Sequence, residues 1–282
     1  MAQPARLNSS LSYYIGNISQ PHYGKTAPVQ KGLLPCMNDL ESDLCEEGVG
    51  FGVPIIQYKR DFFFPGKSIT SYEGKIKSGT FWKKYTMDLI DRRQGRHSTQ
   101  IDMLSWAPQR LYNRIYKSFY GRSVLRFIES RFEFLRPDFD PSVFFKVRDR
   151  GTVLVTYVVD SDMNEISVTM DFSGIHTAGL QYIYISNELG GNLFDVYTDS
   201  AGVVLRGDAI GAWDRIDASW ATLYSSTRRI GFCVSIPGKI QAFRGREIIG
   251  RDICWSGIIF MAPPSTTMLN YRIVMTKKLR GD

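Results

Sequence analysis

Between Ala212 and Tyr224 the chain carries Trp213, Asp214, Arg215, Asp217, Trp220 and Tyr224 in close succession. Aromatic faces beside carboxylates suit sugar recognition, because a ring stacks on apolar C–H patches while a carboxylate accepts hydrogen bonds from hydroxyls. Asp214 and Asp217 would also serve as acid and base in glycoside chemistry if their surroundings drove their pKa values apart. On a strand, however, positions 214 and 217 point to opposite faces, which argues against that pairing. The bland alternative, which has the greater weight, makes Trp213 and Trp220 core anchors and the aspartates strand ends, since large aromatic side chains dominate core burial. Glu188 reads as a turn residue after Tyr182 and Tyr184, and a hairpin there would bring Asp195 and Tyr197 to the same cleft. The expected ligand-binding set is Trp213, Asp214, Asp217, Trp220, Tyr224, Tyr184 and Glu188.

A second constellation is basic. Arg110, Arg114 and Lys117 are spaced four and three apart, which places them on one face of a helix whose apolar stripe holds Leu111, Tyr112, Ile115, Tyr116 and Phe119. Gly121 interrupts this helical pattern, which resumes with Val124, Leu125, Ile128, Phe132 and Leu135 before Pro137 ends it. Such a helix either lies against anionic groups or covers a sheet with its charged face in water, and the covering role is favoured. Between Gln57 and Arg150 there are 20 Lys and Arg against 10 Asp and Glu, a local +10 that leaves −3 for the remainder of a chain whose net charge is +7. A positive region of this kind attracts nucleic acid, anionic lipid or acidic polysaccharide. No RNA-recognition, helix-turn-helix or zinc-finger motif accompanies it.

Motifs for catalysis are scarce, and no catalytic residue, cofactor or metal is assigned. His22, His97 and His176 are far apart, so no H-E-x-x-H or other local metal site exists in the sequence. His97, in a polar basic stretch, reads as an exposed loop residue. Gly48-Val49-Gly50-Phe51-Gly52 lacks the Lys-Ser or Lys-Thr of a phosphate-binding loop, and glycines at alternate positions near a strand mean a bulge or a close backbone approach. Of the four cysteines, Cys233 and Cys254 fall in strand-like runs and read as buried thiols. Cys36 and Cys45 would pair only in an oxidising compartment, where Asn8 and Asn17 would also be glycan acceptors.

The elements that must position these residues are strands. Ile166, Val168, Met170 and Phe172 alternate with Ser167, Thr169 and Asp171, the period-two signature of a half-buried strand. The run Thr152 to Val159 precedes it across a turn-forming stretch, so the two read as a hairpin. Strand runs and turn clusters continue through Leu180–Asn187, Leu193–Asp199, Val203–Arg206, Ile230–Ile236, Ile240–Ile249, Ile253–Met261 and Leu269–Met275. Upstream, Val53–Tyr58 and Phe62–Phe64 form another hairpin, with further strands at Ser71–Ile76 and Phe81–Ile90. The expected fold is mainly β, a large antiparallel β-sandwich with one covering helical segment.

Residues 1–47 are expected to be a loop-rich segment, and residues 48–282 a single β-sandwich domain with the helical insertion near 108–135. No run approaches the length of about 18 to 20 apolar residues that spans a bilayer. Met1–Ser12 lacks an apolar core, so a cytoplasmic location is expected. Three functions fit: a sugar-binding or sugar-processing sandwich, a non-enzymatic binder of anionic partners through region 57–150, and a carrier of an apolar small molecule between the sheets. The first is preferred.

Overall fold

The computed structural model describes residues 11–18, 34–37, 50–59, 61–71, 85–90, 94–106, 147–160, 164–190, 194–249 and 252–276. The strands are β1 (Leu11–Ile18), β2 (Leu34–Met37), β3 (Gly50–Tyr58), β4 (Asp61–Ser71), β5 (Tyr85–Ile90), β6 (Gln94–Trp106), β7 (Val147–Asp160), β8 (Glu165–Asp171) and β9 (Leu180–Gly190). They continue with β10 (Val196–Asp199), β11 (Val204–Arg206), β12 (Asp214–Ile216), β13 (Trp220–Ser225), β14 (Ile230–Ser235), β15 (Gln241–Ile249), β16 (Asp252–Ala262) and β17 (Met268–Thr276). A single 3-10 turn, Gly207–Ile210, is the helical element among the described residues.

The hairpin of β7 and β8 shows why these residues are strands. Val155 pairs with Met170 and Tyr157 with Val168, and these four side chains turn inward, as do Ile166 and Phe172. Glu165, Ser167, Thr169 and Asp171 lie between them, half-exposed on the other face. Burying one such large apolar side chain contributes about 1.5–3 kcal/mol, so a one-residue slip would forfeit several such terms at once.

Two antiparallel layers form the body. In one, the order is β3-β9-β16-β15-β12; in the other it is β11-β10-β13-β14-β17-β8-β7-β6-β4. Strand β4 belongs to both, because Asp61–Phe63 pair with β3 while Phe64–Ser71 pair with β6, and the register shifts between Pro65 and Ser68. A bulge there lets one strand turn a corner between sheets. At the opposite flank β11 and β12 are joined by the 3-10 turn, so the chain also crosses between the layers there. Phe51 meets Phe232 at 4.9 Å between ring centroids, and Phe260 meets Tyr271 at 5.0 Å, each pair edge to face and each reaching across the layers.

A third, small sheet has the order β2-β1-β5. Its first two strands fall inside residues 1–47, where loop was expected. Their pairing of β1 with Tyr85–Ile90 is far removed in sequence, so no local period announces it. His97 is likewise in a strand, opposite Tyr157 in β7, and is not a loop residue. The Gly48–Gly52 expectation holds: Gly50 and Gly52 have φ of 87° and 72°, and the register of β3 against β9 shifts between Gly50 and Val53. The stretch 108–135, expected to be helical, and with it Arg110, Arg114 and Lys117, lies outside the described residues, as do Cys45 and the rest of residues 107–146.

Candidate functional site

Strand β9 carries two ladders of opposite kind. Its inward residues Ile183, Ile185 and Leu189 join the core, and Asn187 among them is fully buried. The outward ladder is Tyr182, Tyr184, Ser186 and Glu188, and it runs from open to closed: Tyr182 is 42% exposed, Tyr184 is half-buried, Ser186 and Glu188 are 1% and 7% exposed. Glu188 is thus a strand residue and not a turn residue. Ser186 donates its hydroxyl proton to Glu188 Oε1.

The outward residues described at the open end are aromatic or uncharged. Gln57 of β3 lies between Phe62 of β4 and Tyr182 of β9 in the register, and Ile55 lies beside Tyr184. Phe62, 42% exposed, stands 6.2 Å from Tyr184, which stands 6.2 Å from Tyr182, with interplanar tilts of 44° and 51°. The Tyr184 hydroxyl donates to Gln57 Oε1 at 3.0 Å, and Gln57 Nε2 donates in turn to the Lys59 carbonyl at 2.9 Å. This relay fixes the position of the Tyr184 hydroxyl. Burial pushes the Tyr184 phenol above its ordinary range, helped by neighbouring Tyr182, so the group stays a neutral donor. Met261 continues the row across β16, then Gln241 in β15.

The closed end is built on glycine. Gly245 of β15 pairs with Gly257 of β16, and Gly257 pairs with Glu188. A Cβ at Gly257 would come within 2.5 Å of Glu188 Cγ, and a Cβ at Gly245 within 2.1 Å of Trp213 N. The Glu188 side chain and the Trp213 backbone therefore lie flat against the same outer sheet face. Trp213 has φ of 71°, a left-handed conformation uncommon for a bulky residue. Next to it, Asp214 Oδ2 lies against the Cα of Gly211, where a Cβ would meet it at 1.9 Å.

The expected site residues are divided by this arrangement. Tyr184, Glu188 and Trp213 share the outer face of one layer, with Asp214 at the edge of that layer in β12 and Asp217 exposed just beyond it. Trp220 and Tyr224 lie on β13 in the other layer. Tyr224 is 7% exposed, and Trp220 sits half-buried opposite Ser235. The stretch 212–224 is therefore not one surface: it contains the crossing between layers. The supposed hairpin of Glu188 with Asp195 and Tyr197 does not form, because β9 pairs with β3 and β16 while β10 pairs with β11 and β13. Asp195 instead accepts from Ser226 N at 2.7 Å and from the Ser226 hydroxyl. The Tyr197 hydroxyl donates to Asp199 Oδ2 at 2.8 Å; burial, and then this carboxylate, push the phenol far above its usual range.

Phe62, Tyr182 and Gln57 stand outside the expected ligand-binding set, although Phe62 belongs to the aromatics that interleave the basic residues of region 57–150, a pattern shared by proteins that stack bases or sugars and by strand cores. Phe62 alternates with inward Phe63 in an unbroken aromatic run, so period alone does not separate the outward ring from the core ring. Among the described residues no three His, Cys, Asp or Glu side chains converge as a metal site, and no helix is long and apolar enough to cross a membrane.

The fold thus defines a mainly-β protein with two antiparallel layers and an exposed aromatic strip on one outer face. No protein-family model matches the chain, and no curated protein matches it. Among solved structures it is similar to the α-N-acetylgalactosaminidase NagBb from Bifidobacterium bifidum, at TM-score 0.43 and 7% identity over 98% of this chain and 36% of that one. It is similar also to the GH36 α-galactosidase AgaB from Geobacillus stearothermophilus, at TM-score 0.38 and 8% identity over 99% of this chain and 41% of that one. The Slr1438 protein from Synechocystis sp. PCC 6803 aligns over 99% of both chains at TM-score 0.35 and 7% identity. The chain spans well under half the length of the two glycosidases, and likeness at this level carries neither site nor activity across.

Proposed function

We propose that this protein binds carbohydrate on the outer face of the β3-β9-β16 layer, with Phe62, Tyr182 and Tyr184 as the stacking surface. The observation that carries the reading is the exposure of Phe62 and Tyr182 on either side of a hydrogen-bonded Tyr184. Aromatic rings kept in water on a sheet face lose the burial that would stabilise them in a core, and a ligand that covers them restores it. Sugars suit such rings because they present apolar C–H patches together with hydroxyls, and the Gln57 amide and Tyr phenols supply polar partners. Glu188 and Trp213 border the strip at its closed end, and Asp214 and Asp217 lie at the far edge of the layer. These four are the polar and aromatic rim of the proposed site; Trp220 and Tyr224, in the other layer, are not part of it.

A thermal-shift screen against neutral sugars, acidic polysaccharides, nucleic acids and lipids at low and high salt tests this. A shift with a sugar class that does not weaken as salt rises is the expected result. Shifts with polyanions alone, lost at high salt, would transfer the function to the basic region 57–150 and remove the sugar reading.

A further inference from the structure

We infer that the ligand is a neutral oligosaccharide that lies across at least two of the three rings, and not a single sugar or an acidic polysaccharide; this rests on the carbohydrate reading above. The rings are the first reason. Tyr184 stands 6.2 Å from Phe62 on one side and 6.2 Å from Tyr182 on the other. A six-membered sugar ring is no wider than the phenol it covers, so one pyranose stacks on one ring and leaves the next uncovered. The tilts of 44° and 51° between successive rings mean that the strip is a twisted platform, which a glycan follows by turning at its linkages and a flat polycyclic ligand cannot follow.

Charge is the second reason. Phe62, Gln57, Tyr182, Tyr184, Ile55, Met261 and Gln241 are the described residues of the outward rows around the strip, and none is an Asp, Glu, His, Lys or Arg. The Tyr184 phenol is raised, not lowered, by its surroundings, so it brings no anion to the face. Among the described residues, charged positions flank these rows: Lys59 and Asp61 beside the β3–β4 turn, Lys239 before β15, Glu188 at the closed end and Arg215 at the outer edge. A carboxylated or sulfated chain would find, among the described residues, no cation in the middle of the platform to offset the cost of taking its own charge out of water.

The test is titration calorimetry of the full chain with cellohexaose, maltohexaose and mannohexaose, with glucose and mannose as single-ring probes, and with polygalacturonate as the charged probe. The expected result is that one neutral hexasaccharide binds at least about tenfold more tightly than its monosaccharide, with an affinity that does not change between low and high salt. Phe62→Ala and Tyr182→Ala each weaken that binding by about tenfold, while Tyr182→Phe retains most of it, because the stacking face and not the hydroxyl is used. Both residues are on the surface, so their melting temperatures report directly that the variants remain folded. A monosaccharide that binds as tightly as its hexasaccharide would overturn the multi-ring inference and leave the carbohydrate reading standing. Salt-sensitive binding of polygalacturonate that Tyr182→Ala abolishes would overturn neutrality alone and leave the carbohydrate reading standing. Failure of every sugar probe to bind would overturn both.

Discussion

Asn187 in one layer accepts the phenol proton of Tyr271 in the other at 2.8 Å, through the same Oδ1 that accepts the N–H of Gly52 at 3.1 Å. The Asn187 Nδ2 donates to the Ile258 carbonyl at 3.4 Å, and the Tyr157 hydroxyl closes the group by donating to the Phe51 carbonyl at 2.8 Å. One side chain thus ties the bulged start of β3, the centre of β9 and the facing sheet into a polar knot inside an apolar core. Its burial drives the Tyr271 phenol well above its usual range, so Tyr271 remains a donor.

Asn187→Leu fills the volume but strands two buried donors, the Gly52 N–H and the Tyr271 hydroxyl. The expected loss is about 2 kcal/mol or more by urea unfolding. Tyr271→Phe removes one donor while Asn187 keeps Gly52, and is expected to cost about 1 kcal/mol. Equal losses from the two variants would mean that the knot does not join the layers.

The glycines separate by what lies above them. A Cβ at Gly245 would sit 2.1 Å from Trp213 N, a backbone atom that cannot swing aside, whereas nothing lies within 4 Å of a Cβ at Gly238. Gly245→Ala is therefore expected to lower stability by about 1–3 kcal/mol, the range of overpacked sites. Gly238→Ala is expected to be neutral or to stabilise by up to about 1 kcal/mol, since it only restricts the unfolded chain. Thermal denaturation of the two variants side by side decides the matter.

Arg246 latches the flank where the chain crosses between layers. It is 7% exposed, and its Nη2 donates to the Phe194 carbonyl at 2.8 Å, while its Nη1 lies 3.7 Å from the exposed carboxylate of Asp208. Burial alone lowers the guanidinium pKa, with Asp208 and Asp195 acting the other way. Arg246→Met keeps the apolar stem and removes the bond to Phe194, for an expected loss of about 1–3 kcal/mol. Asp208→Ala touches only the solvent-exposed half of the pair and is expected to change stability by less than about 0.5 kcal/mol. If Asp208→Ala proves as costly as Arg246→Met, the ion pair and not the carbonyl bond is the latch.

Asp195 predicts an acid-side effect. Burial raises its pKa, but the Ser226 hydroxyl and N–H and the charge of Arg206 outweigh that, and the net shift is downward. A carboxylate depressed in the folded state adds stability above its unfolded pKa of about 3.9 and loses it as pH falls through the lower folded value. Ser226→Ala should therefore narrow the difference in stability between neutral pH and pH values below about 4. Denaturant melts of both proteins across that window measure it, and parallel pH profiles would remove the assignment.

The two tryptophans of the 212–224 stretch are expected to part company in binding. Trp213 lies at the rim of the proposed strip and Trp220 in the opposite layer, so Trp220→Phe should leave oligosaccharide affinity unchanged. A loss of affinity from Trp220→Phe equal to that from Tyr182→Ala would move the site to the second layer.

What the sequence determined by itself is the alternation. The period of two in Glu165–Phe172, the β-branched run in Thr152–Val159 and the glycine spacing before Val53 are local properties of the backbone and its side chains, and they specify strands, a hairpin and a bulge without reference to the rest of the chain. What tertiary structure decided is which strand stands beside which. Residues 212–224 read as one cluster, yet the chain crosses from layer to layer within them, so Trp213 and Trp220 part. Glu188 read as a hairpin partner of Asp195, yet β9 pairs with β3, whose residues come more than 120 positions earlier. Sheet pairing joins positions that share no local pattern, so the strip of Phe62, Tyr184 and Tyr182 exists only once β3, β4 and β9 lie side by side.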